Sequence, residues 1–207
     1  MKNNLGTYLF KSYRIFFRKS VVIITILSGI NLHGQVAPCE LLRSQYHNIN
    51  IVDKDDFICI SKNTTKNKTL IYTFAIWCKP CIVSLPEAIK LADDYNLDLY
   101  VLLIEKESDK RVKQAVDYLK DLRKDINYLV LKDAKYGLKS RAKYKKFLLE
   151  ITPKEFENID CLSKYILIDK NGKVIMVTNW KDIYFDGIKD ETKMIQKKIV
   201  PLLEDVK

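Results

Sequence analysis

Two cysteines, Cys78 and Cys81, stand three positions apart. They follow a β-branched and aromatic run at residues 69–75 and precede Ile82, Leu85, Ile89 and Ala92, which recur at helical spacing. A strand that turns into a helix at this point puts both cysteines in the first helical turn. There the spacing sets the two sulfurs on one side, close enough to form a disulfide and separable as a dithiol. Position adds reactivity. A helix N-terminus presents unpaired N–H groups and the positive end of the macrodipole, so a Cys78 thiolate forms more readily than at the free pKa of about 8.5. Lys79 adds a positive charge, and Pro80 has the φ suited to a first helical turn while losing no needed donor. The thiolate is the nucleophile of disulfide exchange, so the chemistry indicated is the making and breaking of disulfides.

Half a zinc site is another use of this spacing, but it needs two further ligands. Cys39, Cys59 and Cys161 are scattered singly, and the only histidines are His33 and His47. No metal is expected, and disulfide exchange requires no dissociable cofactor. The alternative of a different class is a redox-inert binding module in which the same pair stays closed as a structural disulfide. A peroxidase is less favoured, because no threonine-rich peroxidase loop precedes Cys78. Cys39 and Cys59 can pair with each other, which leaves Cys161 either as a third redox thiol or as an inert buried cysteine.

The elements that must position the pair follow from period and punctuation. Strands are expected at residues 57–60, 69–75, 97–104 and 127–131. Helices are expected from residue 82 to about 95 and from Asp109, a suitable N-cap, to Arg123. A basic helix is expected near residues 139–149, before a break at Thr152-Pro153. Residues 165–168 and 173–177 make a hairpin, for which Asn171-Gly172 supplies positive φ angles. A last amphipathic helix spans residues 190–203, with Pro201 disturbing its final turn. This order gives an α/β fold, a three-layer sandwich with a sheet that is parallel in part and ends in an antiparallel ribbon.

Net charge is +10, from 36 basic and 26 acidic residues. Residues 1–34 hold five of the bases and no acid, which leaves 31 against 26, or +5, for the remainder. Such an excess could suggest a nucleic-acid or anionic-membrane partner, but half of it lies in one segment and no nucleic-acid motif accompanies it, so nucleic acid is not expected as a partner. The first 34 residues instead read as an export signal, with a basic segment ending at Lys19, an apolar stretch from Val21 to Leu32 and cleavage near Gly34 or Ala37. Twelve interrupted apolar residues fall short of the roughly 20 that span a bilayer, so membrane attachment is expected only if this segment is retained. The divisions expected are a signal peptide at 1–34, an N-terminal extension at 35–64 and the main domain at 65–207. The basic run Lys139, Arg141, Lys143, Lys145 and Lys146, interleaved with Tyr136 and Tyr144, reads as a solvated helix face or a docking surface for an acidic partner.

The segment Trp77-Cys78-Lys79-Pro80-Cys81, with Pro86 five residues later and the strand before it, resembles the WCxPC signature of thioredoxin-like proteins. The extra strand and helix before the hairpin, and the stretch Leu167-Ile-Asp-Lys-Asn-Gly172, are similar to the exported TlpA-like branch of thiol:disulfide oxidoreductases. The resemblance covers about residues 55–205. It implies a thioredoxin-like α/β/α sandwich with a mixed sheet. It also implies Cys78 as the attacking cysteine, Cys81 as the resolving one, Trp77 as the ring flanking the sulfur and Pro86 as a kink in the first active-site helix. The partners it implies are disulfide-bearing proteins of the periplasm or cell envelope, such as apocytochromes, and an upstream membrane or periplasmic dithiol donor. The usual direction is reduction.

Two positions depart from the family pattern. Ser163 stands where a cis-proline is usual, and a cis bond at a non-proline residue costs about 3–4 kcal/mol, so a trans bond is expected there. Tyr72 stands six residues before Cys78, where many thioredoxins carry a buried carboxylate. Glu105 or Glu107, at the end of the next strand, is the carboxylate that could accept a proton in its stead.

Overall fold

The computed structural model describes residues 38–204. The export signal expected at residues 1–34, with cleavage near Gly34 or Ala37, falls outside the described residues. The first strands, β1 (Leu42–Arg43) and β2 (Asn50–Val52), pair antiparallel and lead into helix α1 (Lys54–Asn63). Residues 57–60, expected as a strand, belong to that helix. Its start is fixed by a reciprocal cap: Asp53 accepts from the Asp55 and Asp56 amides at 2.9 and 3.3 Å, and the Asp56 carboxylate accepts from the Asp53 amide at 2.8 Å. With the start set, Phe57, Ile60 and Ser61 fall on one buried face, and the apolar run that suggested a strand is one turn of an amphipathic helix. Cys59 on this helix is disulfide-bonded to Cys39, with Cα atoms 5.8 Å apart.

The chain continues through β3 (Thr69–Phe74), α2 (Lys79–Asp94), β4 (Asp98–Leu103), α3 (Lys110–Leu122) and β5 (Asn127–Leu131). Next come α4 (Asp133–Tyr136), α5 (Ser140–Ile151) and the hairpin β6 (Tyr165–Ile168) and β7 (Val174–Val177). These strands form one seven-stranded sheet in the order β1-β2-β5-β4-β3-β6-β7, parallel from β2 to β3 and antiparallel at both ends. Asn50–Val52 is thus a strand of the main sheet. All six residues of β3 are buried, as a parallel strand covered on both faces requires.

Side chains alternate across β3, and the helices sort with them. Tyr72 and Phe74 face α2 and α3, where Tyr72 meets Cys81 and Phe74 stacks on Tyr118 at 6.1 Å. Thr73 faces α5 and bonds Tyr144 at 3.2 Å. On that side α1 and α5 pack through Phe57 and Phe147, whose ring centroids are 5.4 Å apart. The result is the expected α/β fold, a three-layer α/β/α sandwich with a mixed sheet.

In the hairpin loop only Gly172 has a positive φ, +81°, whereas Asn171 was expected to share it. The Asp169 carboxylate does the work instead, accepting from the Asn171 and Lys173 amides at 2.9 and 2.8 Å. Glycine is required at 172 for a second reason, since a Cβ there would meet Ile58 of α1 at 2.6 Å. After β7 the chain makes a 3₁₀ turn (Trp180–Ile183) and a short ribbon of β8 (Tyr184–Phe185) and β9 (Ile188–Lys189). The final helix then runs as α6 (Glu191–Met194), a π-turn (Ile195–Ile199) and α7 (Val200–Glu204). Pro201 accounts for the π-turn: it lacks an N–H and its ring would strike the carbonyl four residues back, which a wider turn relieves.

Candidate active site

Helix α2 begins where β3 ends, and Cys78 is its N-cap. The Cys78 and Cys81 sulfurs are joined as a disulfide, and Cys78 Sγ accepts the Cys81 amide at 3.2 Å. That bond is a direct contact between the first sulfur and an unpaired amide of the helix start, as the spacing predicted. The two sulfurs are not equivalent. Cys81 is fully buried, whereas Cys78 is 8% exposed and lies on the walls of two cavities. A partner's sulfur approaching from solvent therefore meets Cys78 first. Lys79 and Pro80 are exposed beside it, Trp77 is 56% exposed, and Pro86 lies inside α2, four positions after Ile82.

Beneath the disulfide lies a bed of neutral hydroxyls. The Tyr72 hydroxyl donates to the Cys81 carbonyl at 3.0 Å and is 2.7 Å from Ser163 Oγ. One hydroxyl has one proton to give, so Tyr72 donates to Cys81 and accepts from Ser163. Burial pushes the Tyr72 phenol well above its ordinary range and keeps it un-ionised. Tyr165, edge-on to Tyr72 at 5.3 Å, donates to Glu191 Oε1 at 2.8 Å, with the Ser84 carbonyl 3.3 Å from the same hydroxyl. Ser84 Oγ bonds the other oxygen of Glu191, so α2 is tied to the C-terminal helix one turn below the cysteines.

Ser163 has φ +60°, and the described residues contain no cis peptide bond. Its loop is held from several sides. Its amide donates to the Thr73 carbonyl at 3.2 Å, and the Lys164 amide donates to Thr73 Oγ1 at 2.9 Å. The Tyr144 hydroxyl reaches both Thr73 Oγ1 and the Cys161 carbonyl, at 3.2 and 2.9 Å. Lys164 is fully buried, with its ammonium on the Thr178 carbonyl at 2.8 Å. Burial pulls its pKa down, partly offset by the neighbouring Cys161. Cys161, the free cysteine, is half-buried and lies on the same two cavity walls as Cys78.

The two carboxylates proposed from sequence part company. Glu105 is 1% exposed, and neither of its oxygens has a hydrogen-bond partner. Burial pushes its carboxyl above the ordinary range, with nearby Arg111 and Trp77 opposing the rise. Glu107 is half-buried and lines neither cavity. The basic run divides as well. Lys143 is fully buried, its ammonium on Asp133 at 2.8 Å and on the Glu105 and Leu131 carbonyls at 3.1 and 3.3 Å, while Tyr136 and Tyr144 belong to the core.

The cavities meet at Cys78, Cys161 and Leu162. One, of about 400 Å³, runs from Cys78 past Pro80 and Ser163 to Trp180, Tyr184 and Met194. The other, of about 430 Å³, is bounded by Trp77, Ile104, Arg141 and Tyr144. Sequence reasoning did not find Thr73, Lys164, Trp180 or Tyr184, and it placed Tyr144 on a solvated or docking face rather than in the core. A polar residue inside the apolar run of β3 was the one available signal, and it pointed to Thr73.

Compared with models of known families and with curated proteins, the chain matches none. Among solved structures it is similar to a thioredoxin-like protein determined in its oxidised form, with 16% identity, 75% of this chain and 86% of that one covered, and a TM-score of 0.43. It is also similar to a thioredoxin-like protein from Porphyromonas gingivalis, with 18% identity, coverage of 68% and 78%, and a TM-score of 0.43. A third is the N-terminal domain of PilB from N. meningitidis in its reduced form, with 18% identity, coverage of 70% and 83%, and a TM-score of 0.40.

Proposed function

We propose that the chain is an exported thiol:disulfide oxidoreductase of the TlpA-like kind, which reduces disulfides in partner proteins of the periplasm or cell envelope. The observation that carries this reading is the placement of Cys78, a sulfur that caps a helix, borders open cavities and is bonded to a fully buried mate. In the reduced state the Cys78 thiolate attacks one sulfur of the partner's disulfide. The other partner sulfur leaves as a thiolate and takes up a proton. Cys81 then loses its proton and attacks Cys78, which closes the Cys78–Cys81 disulfide and frees the partner as a dithiol. Two electrons pass to the partner, and an upstream dithiol donor returns them. No dissociable cofactor takes part.

Tyr72 stays neutral and so is no base for the Cys81 proton. Glu105 or Glu107 is the carboxylate left to accept it, and of the two Glu105 is the buried one, beside Trp77. Export is supported by the compartment that two disulfides among five cysteines favour. The test is reduction of a protein disulfide by the pre-reduced protein. Wild type is expected to turn over, Cys78→Ser to be inactive, and Cys81→Ser to accumulate a mixed disulfide at Cys78. Full activity in Cys78→Ser overturns the proposal.

A further inference from the structure

Trp180 and Tyr184 are 52% and 47% exposed, and their rings meet edge to face at 6.1 Å. Such exposure of two large rings side by side is unusual on a surface with no partner. The surrounding structure holds them in place. Around Trp180 the Asn179 amide donates to the Asp182 carboxylate at 2.7 Å, and the Asn179 side-chain oxygen accepts the Lys181 amide at 2.9 Å. Lys198 pairs with Asp182, Lys181 pairs with Glu157 at 2.6 Å, and the Asp190 amide closes the ribbon on the Ile183 carbonyl at 2.7 Å. The Lys193 ammonium lies over the Phe185 ring at 4.8 Å and pins the ribbon to the final helix.

These rings line the same cavity as Cys78. That continuity decides the occupant, because whatever lies in the cavity during exchange is attached to the sulfur that Cys78 attacks. The lining is mostly apolar, through Pro80, Leu162, Ile183 and Met194, and it carries one charged residue of each sign, Lys189 and Glu191. A cavity of about 400 Å³ is at the lower end of the range of about 300–1,000 Å³ found for ligand sites, room for side chains and not for a folded surface.

Resting on the oxidoreductase reading, we propose that this cavity takes the polypeptide segment beside the attacked cysteine of a protein disulfide. The Trp180–Tyr184 pair selects segments with a bulky apolar or aromatic side chain a few residues from that cysteine.

The experiment compares two disulfide-linked peptides, one with Trp and Leu near the cysteine and one with Ser and Gly, alongside hydroxyethyl disulfide. Wild type is expected to favour the aromatic peptide in kcat/KM by about tenfold, equivalent to ~1.4 kcal/mol. Trp180→Ala with Tyr184→Ala is expected to bring the two peptides within about twofold, by lowering kcat/KM on the aromatic peptide. Equal rates in wild type, or a preference that survives the double substitution, overturns the specificity proposal. No turnover of any of the three disulfides sinks the oxidoreductase reading instead. A second measurement does not depend on the variant folding: an NMR titration of wild type with the serine analogue of the aromatic peptide. Movement of the Trp180 indole resonance is expected, and an unmoved Trp180 refutes the proposal.

Discussion

Replacing Tyr72 with phenylalanine removes one oxygen from the bed beneath the disulfide and little else. The ring keeps its edge-on contact with Tyr165 at 5.3 Å, so the packing of the core is retained. Two hydrogen bonds go, to the Cys81 carbonyl at 3.0 Å and with Ser163 Oγ at 2.7 Å. At about 0.5–1.5 kcal/mol net for each, the loss is ~1–3 kcal/mol. For a domain of this size that lowers Tm by roughly 3–10 °C. The assay is guanidinium unfolding of the oxidised protein at pH 7, with an unchanged slope showing that only stability has moved. Ser163→Ala removes the second bond alone. A double-mutant cycle should therefore give a coupling of about 0.5–1.5 kcal/mol between the two positions. Burial raises the Tyr72 pKa, so the phenol is un-ionised in both folded and unfolded chains below about pH 10, and the difference should be flat from pH 5 to 9. Additive effects of the two substitutions, or a variant as stable as wild type, would show that the contact does not hold the loop to the helix.

Glu105→Gln should change how stability depends on pH. The raised pKa means that the unfolded chain ionises first as pH climbs past the ordinary glutamate value of 4.5, so wild type loses stability there until the folded carboxyl also ionises. Chemical denaturation should find the variant more stable than wild type at pH 7 and the gap closing below about pH 4. A constant gap would place the carboxyl in solvent. The double substitution Cys39→Ser with Cys59→Ser opens a loop with a sequence separation of 20, worth ~3.3 kcal/mol on the chain-entropy estimate. Unfolding should show that loss while disulfide reduction by the native protein is kept.

How much of this was legible in the sequence depended on the range of the interaction. The Cys78 cap, the α3 start at Asp109 and the buried run of β3 follow from spacing within a few residues, and each was read correctly. Residues 57–60 were misread because an apolar run of four has no period of its own. The Asp53–Asp56 cap that decides it lay just upstream, with an acid in the place where glutamate usually signals a cap. The basic run at 139–146 misled for the opposite reason. Alternating lysines suggest solvent, yet Lys143 turns inward because Asp133 and two carbonyl groups at strand ends are waiting for its ammonium. Such partners come from other elements, and no local window contains them. Glu105 is a related case, since a carboxylate at a strand end is ordinarily solvated, and only the layers above it bury this one.

The departures at Tyr72 and Ser163, separate in sequence, are adjacent in space. A proline at 163 could not replace the serine as this loop is built, for three reasons. Its φ is fixed near −65° whereas Ser163 has +60°, it has no N–H to give the Thr73 carbonyl, and it has no hydroxyl for Tyr72. A carboxylate at 72 would fit no better, because it would face the Cys81 carbonyl, where only a donor is of use. The tyrosine supplies that donor and, with the same oxygen, accepts from the serine. One neutral hydroxyl therefore ties helix α2 to the Ser163 loop, where neither a carboxylate at 72 nor a proline at 163 could.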